Sequence, residues 1–178
     1  MDAVSDPRVS EVVVMSGSQL GKTELLLNIV GFHIAHDPAP ILVVQPTLEM
    51  ASAWSKDRLA NMLRDSPSLR DKVADPRSRD SGNTTLHKVF PGGHITIVGS
   101  NSPASMASRP IRIVLVDELD RCALSAGAEG DPVALARRRS ATFWNRKVIQ
   151  VSSPTLKGFS RIEDAYKRSS RNKYFIAC

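Results

Sequence analysis

Four short apolar runs set the rhythm of this chain: Val12–Met15, Ile41–Val44, Ile113–Val116 and Val148–Ile149 with Val151. Each is the length of a strand, and polar residues stand at its end. Ile41-Leu42-Val43-Val44 lacks polar alternation altogether, as in a strand covered on both faces. Between the runs lie helix-length segments. The spacing predicts strands over 11–15, 41–45, 112–116 and 147–151, and a helix over 22–36 ended by Asp37-Pro38-Ala39-Pro40. A second helix is predicted from Thr47, its N-cap, with Met50, Ala51, Trp54, Leu59 and Leu63 as the core stripe. Residues 66–83 read as a short helix and a mobile loop. Leu86–Phe90 and His94–Gly99 flank Pro91-Gly92-Gly93, the pattern of a hairpin. Ser100–Arg109 reads as a short helix or loop, and Tyr174–Ala177 as a last strand. Strands alternating with helices predict an α/β domain over 1–178, with a central, mostly parallel sheet flanked by helices and a β-hairpin insertion.

The junction after the first strand carries candidate chemistry. Ser16-Gly17-Ser18-Gln19-Leu20-Gly21-Lys22-Thr23 links that strand to the first long helix, the setting of a phosphate-binding loop. Backbone N–H groups of such a turn, with the helix N-terminus, point at phosphate oxygens. Lys22 is placed to reach the β- and γ-phosphates, and the Thr23 hydroxyl to ligate Mg²⁺. The first glycine position of the consensus is filled by Ser16, with Gly17 one place later.

Asp117-Glu118 follows the third apolar run, at the strand end where open α/β sheets bind ligands. Asp117 suits the metal shell, through water, and Glu118 suits polarising an attacking water. Adjacent acids after a strand also cap helices; downstream of a phosphate loop the hydrolytic reading prevails. Ser152-Ser153-Pro154-Thr155 follows the next strand at the same edge. Its hydroxyls either sense the γ-phosphate or make an ordinary polar turn. Gln45-Pro46-Thr47 either contacts a nucleic-acid backbone or caps the following helix, with capping the better reading of Thr47.

Composition narrows the setting. A hydrophobic fraction of 42% and a charged fraction of 24% describe an ordinary globular domain. No apolar run has the length of a membrane span, and no signal peptide opens the chain. Two cysteines, Cys122 and Cys178, make no disulfide framework, which fits a reducing cytoplasm. The net charge is +6, and Arg and Lys crowd the last third, which suits a phosphate-backbone partner. Aromatics are 5% of the chain, which argues against a single-strand stacking groove. Trp54 and Trp144 read as core or interface anchors, and the four histidines show no metal-ligand spacing.

Ser18–Glu24, Val44–Thr47, Val116–Arg121 and Ser152–Thr155 with Ser160-Arg161-Ile162, in this order, resemble the ATPase domain of tailed-phage terminase large subunits, the lambda-type branch most of all. The resemblance implies a RecA/helicase-like P-loop core of the ASCE class. It also implies an Mg-dependent ATP hydrolase that packages double-stranded DNA into a procapsid as a homo-oligomeric ring on the portal protein, with a small terminase subunit, in the bacterial host cytoplasm. Residues 16–23 then bind the nucleotide, Thr23 and Asp117 the metal, and Lys22 and Glu118 serve catalysis. Ser152 and Ser153 fall on the motif that couples hydrolysis to movement. Some terminases carry an arginine in the loop just before the glutamine; here that place is Ser18. The neutralising arginine is then expected elsewhere, in cis or from a ring neighbour. Arg109, Arg112, Arg121 and Arg137–Arg139 are the candidates, with Arg138 preferred. The family's nuclease acids are not found in this sequence, so DNA cleavage is not expected of it. Two other readings stay open: a helicase-like translocase half-domain, and a nucleotide-dependent assembly module with little hydrolysis of its own.

Overall fold

A computed structural model describes residues 1–74, 82–102, 109–173 and 175. In chain order the elements are α1 (Asp2–Ser5), β1 (Glu11–Met15), α2 (Lys22–Ala35), β2 (Pro40–Gln45) and α3 (Leu48–Ala53). A π-helical turn (Trp54–Leu59) leads into α4 (Ala60–Asp65), followed by α5 (Pro67–Arg70), β3 (His87–Phe90), β4 (Gly93–Gly99) and β5 (Ile113–Val116). A 3₁₀ turn (Leu119–Arg121), α6 (Pro132–Arg139), β6 (Lys147–Ser152) and α7 (Arg161–Lys167) complete it. Of the loop expected within 66–83, residues 75–81 lie outside the described residues, as do residues 103–108 and, apart from residue 175, the strand expected over 174–177.

The six strands form one sheet in the order β1-β6-β5-β2-β4-β3, parallel except for β3 against β4. The two faces follow from strand alternation. Ile41, Val43, Ile95, Ile97, Ile113, Leu115, Ile149 and Val151 face a core completed by Leu26, Ile29 and Val30 of α2. Leu42, Val44, Val98, Val114, Val116 and Val148 face a second core with Val133 and Ala136 of α6 and Ile162 of α7. Both faces are therefore covered, which is why the central strands carry no polar alternation. Each fully buried Leu or Ile contributes about 1.5–3 kcal/mol relative to exposure.

Two expectations need correction. The hairpin is not an insertion. β4 pairs in parallel with β2 over Pro40–Gln45, so the hairpin extends the central sheet and β3 forms its edge. The stripe after Thr47 also departs from a single α-helical face. Ala51, Trp54, Leu59 and Leu63 are buried, but Met50 is 39% exposed. A five-residue step from Trp54 to Leu59 would rotate off an α-helical face; the wider π turn brings both inward. Trp144 is 81% exposed, so only the interface half of its expected role survives.

The β4 start is the tightest backbone approach in the sheet. A Cβ on Gly93 would lie 2.5 Å from the Ala39 carbonyl oxygen and 2.7 Å from the Phe90 ring. Gly93→Ala is therefore expected to cost about 2 kcal/mol, read as a lower urea midpoint with an unchanged slope.

Candidate active site

Strand order assembles the site. β6 lies between β1 and β5, so the turns after β1, β6 and β5 reach the same sheet edge side by side. The Ser16 N–H donates to the Ser152 carbonyl at 3.2 Å, so Ser16 continues the β1–β6 ladder before the loop departs. Neither Ser16 nor Gly17 has a positive φ; in this loop Gln19 (φ 59°) and Gly21 (φ 79°) do. The consensus glycine is thus not required at position 16 by the backbone. Gly17, Ser18, Gln19, Leu20 and Gly21 are exposed, leaving the loop open for a ligand. Gly21 caps α2 in the left-handed conformation, and Thr23 sits half-buried in the first turn of that fourteen-residue helix. The unpaired N–H groups at this helix start favour an anion.

Lys22 is the centre of the constellation, only 7% exposed. Its ammonium donates to the Gly17 carbonyl at 2.9 Å and to Ser153 Oγ at 2.8 Å, and lies 3.8 Å from Glu118 Oε1. Ser16–Thr23, Glu118 and Ser153 are therefore brought together as expected. Ser152 is fully buried, and its hydroxyl accepts from the Asp120 N–H and donates to the Ser153 carbonyl. It holds the turn rather than facing the ligand.

Asp117 is buried, and Gln45 Nε2 donates to its Oδ2 at 3.1 Å. Register explains the contact: Val44 pairs with Val116, so the next residues of β2 and β5 stand side by side. This role for Gln45 was not foreseen, although a polar residue ending an apolar strand beside the acid-bearing strand was its signal. Thr47 caps α3, accepting from the Met50 N–H, as the capping reading had it. The second carboxylate oxygen of Asp117 is buried without a hydrogen-bond partner among the described residues. Such an oxygen fits a metal ion or its water shell, and Thr23 and Asp117 are the residues that would hold it. Burial pushes the Asp117 carboxyl above its ordinary value, against the pull of the Gln45 hydrogen bond.

Glu118 takes a left-handed φ of 47°, a conformation costly for a residue other than glycine. It opens the 3₁₀ turn Leu119–Arg121, whose Arg121 N–H donates to the Glu118 carbonyl at 2.8 Å. Arg121 Nε lies 4.0 Å from Glu118 Oε2. Asp120, which sequence reasoning passed over, locks the turn. Its Oδ2 accepts from the Thr155 N–H and hydroxyl, each at 2.9 Å, and its Oδ1 from the Ile162 N–H at 2.8 Å. Burial alone would raise its carboxyl, but the hydrogen bonds from Ser160, Ile162 and Thr155 outweigh that and hold it below the ordinary range.

Arg138 is not brought to this site. It is exposed at the end of α6, between Arg137, which pairs with Glu11 at the start of β1, and Arg139, whose carbonyl accepts from Ile111 ahead of β5. That is the opposite end of the strands from the phosphate loop, roughly 15–20 Å away for strands of this length. A role for Arg138 at its own chain's nucleotide is corrected on that ground. Arg112 is also at that far edge, bound to Asp37 and His33, and Arg109 contacts His87 on the outer hairpin strand.

The unpartnered Asp117 oxygen has a measurable consequence. A buried carboxyl with a raised value stabilises the fold while protonated, and that contribution is lost as pH rises through the raised value. Asp117→Asn, measured without nucleotide or metal, is expected to melt above the parent at pH 7. The gap should close towards pH 4 and below, and thermal melts across that range check it.

The family described as phage terminase large subunit gpA, ATPase domain, matches the chain over residues 1–178. The terminase large subunit of Enterobacteria phage P21 is 24% identical over 181 residues, and that of Escherichia phage lambda 25% identical over the same length. Each alignment takes in all of this chain but 28% of the relative, so the chain spans little more than a quarter of those proteins. In fold, the chain is similar to the large terminase ATPase domain of Thermus phage P74-26. The TM-score is 0.60 at 15% identity, covering 84% of this chain and 62% of that one. A variant of that domain gives 0.59 at 16% identity over the same shares. The six-stranded, mostly parallel sheet with its loop–helix junction is accordingly a P-loop NTPase-like fold, and the chain belongs to the ATPase-domain family of phage terminase large subunits.

Proposed function

We propose that this chain hydrolyses ATP, with Mg²⁺, to drive double-stranded DNA into a procapsid. The observation that carries the hydrolytic part is the Lys22 ammonium, buried and shared by the ends of three adjacent strands. Before nucleotide binds, the loop carbonyl of Gly17, Ser153 and Glu118 satisfy this cation. Phosphate oxygens replace them as partners, since they bind an ammonium more strongly than a neutral carbonyl or hydroxyl does. Ser153 and Glu118 are then released together. Ser153 belongs to the turn that Asp120 ties to α7, so its release passes the occupancy of the site to a helix. Glu118, freed from Lys22, orients and polarises the attacking water. A divalent ion held by Thr23 and Asp117 would supply neutralisation of phosphate charge.

Membership of the terminase large-subunit ATPase family supports DNA as the polymer moved, with a portal protein, a small subunit and a ring of copies as partners. The basic last third supports it: Lys157, Arg161, Lys167, Arg168, Arg171 and Lys173 follow one another over a short stretch. Among the described residues no helix is long and apolar enough to cross a membrane.

Phosphate release assays on the purified chain with Mg·ATP, with and without double-stranded DNA, test the reading. Lys22→Ala is expected to lower turnover about a hundredfold or more, and Glu118→Gln by about 10²–10⁴. Glu118→Gln should still bind ATP. Parental turnover in both variants would sink the assignment.

A further inference from the structure

Lys22 is the phosphate loop's own cation, and phosphoryl transfer gains from a second one at the transferring group. We propose that Arg121 is that cation, acting in cis on the nucleotide of its own chain. The inference rests on the hydrolytic reading above.

Three observations carry it. First, the 3₁₀ turn Leu119–Arg121 follows directly on Glu118, and the Arg121 N–H donates back to the Glu118 carbonyl at 2.8 Å, which folds the two residues together. Arg121 is thereby aligned with Glu118, its Nε 4.0 Å from Oε2, while Oε1 of the same carboxylate lies 3.8 Å from Lys22 Nζ. The carboxylate bridges the buried lysine of the phosphate loop and the arginine at the rim. Second, the turn is pinned. Asp120 accepts three hydrogen bonds, from Thr155 twice and Ile162 once, and its N–H is held by Ser152 Oγ. A cation on such a turn needs little further ordering before it acts. Third, whereas the other candidates lie elsewhere, Arg121 stands at this edge with its side chain only lightly held. Its side chain is 71% exposed and its ion pair is at the limit of contact. Arg112 and Arg137 are bound to carboxylates at the opposite edge, and Arg161 is bound to Asp131 and the Ala123 carbonyl.

When Glu118 turns to water, Arg121 loses its anionic partner, and the phosphoryl oxygens take its place. The arginine fits the charge distribution of the transition state, spread over the equatorial oxygens and the leaving oxygen, better than that of the bound nucleotide, so Arg121 acts on turnover more than on nucleotide binding.

The test compares Arg121→Ala and Arg121→Lys with the parent chain. Turnover by Arg121→Ala should fall about a thousandfold with KM changed less than about threefold, and Arg121→Lys should recover part of it. Calorimetry adds a readout independent of turnover: Arg121→Ala should bind ADP like the parent but lose most of the extra affinity for ADP with aluminium fluoride. Melting temperatures should match. Mixing Arg121→Ala with Lys22→Ala chains should restore no activity, because both defects sit in one site; restoration would assign Arg121 to a neighbour's nucleotide and overturn the cis role. Parental turnover and parental aluminium-fluoride affinity in Arg121→Ala would overturn the inference alone, provided Lys22→Ala and Glu118→Gln are inactive. A parent chain that bound neither nucleotide would overturn the hydrolytic reading and this inference with it.

Discussion

A cation that is 7% exposed must find partners, and the partners of Lys22 dictate the architecture around it. Its ammonium is held by Gly17 after β1, Ser153 after β6 and Glu118 after β5. These positions are far apart in sequence, the longest span being 131 residues. They meet because β6 intervenes between β1 and β5, and because all three strands run the same way. Parallel strands deliver their C-terminal turns to one edge, and the α2 N-terminus arrives there too. The two apolar cores serve this geometry by clamping both faces of the sheet, so that the turns have a fixed platform. The phosphate loop stands at that edge, with Gly17 to Gly21 exposed to a ligand.

The same edge holds groups that a stability-minded design would avoid. Asp117 is buried with one oxygen unpartnered, and Glu118 and Gln19 occupy left-handed backbone. Each costs free energy in the empty protein. Asp117, Glu118 and Gln19 lie close together at this edge, which fits a site completed by a nucleotide and a divalent ion. His33, by contrast, is a buried titratable group away from that edge. Burial pushes its imidazole down, against the Asp37 carbonyl hydrogen bond, and it joins Arg112 and Asp37 in a structural cluster.

Much of the fold and part of the site were legible in the chain itself. β1 begins and ends where the apolar pattern puts it, and α2 ends one residue earlier than expected, before the Asp37-Pro38 break. Doubly buried strands announce themselves because neither face tolerates polar residues. The phosphate loop and the acid pair announce themselves because their chemistry restricts residue type at short spacing. What stayed hidden depends on register between distant strands. Gln45 reads as a strand end that contacts a nucleic-acid backbone or helps cap the next helix until β2 is laid beside β5 and it meets Asp117. The hairpin reads as an insertion until β4 pairs with β2. Arg138 had nothing in its local sequence to say which end of the sheet α6 would present, and α6 lies antiparallel enough to the strands to carry it to the wrong one.

Asp120 shows how far a single acid can reach when a turn is short. Two residues separate Glu118 from Arg121, and one of them, Asp120, faces the other way, onto Thr155 and the start of α7. A movement of Glu118 or Arg121 is thus opposed by hydrogen bonds to the turn after β6, the one that also supplies Ser153 to Lys22. The phosphate loop, the acidic turn and the serine turn are therefore mechanically one unit, closed by hydrogen bonds at both ends. In the proposed cycle, exchange of Lys22 partners at one end acts on the other, because Ser153 and Thr155 belong to the same few residues. That closed linkage gives a local event at a phosphate a route to a helix on the far face of the sheet.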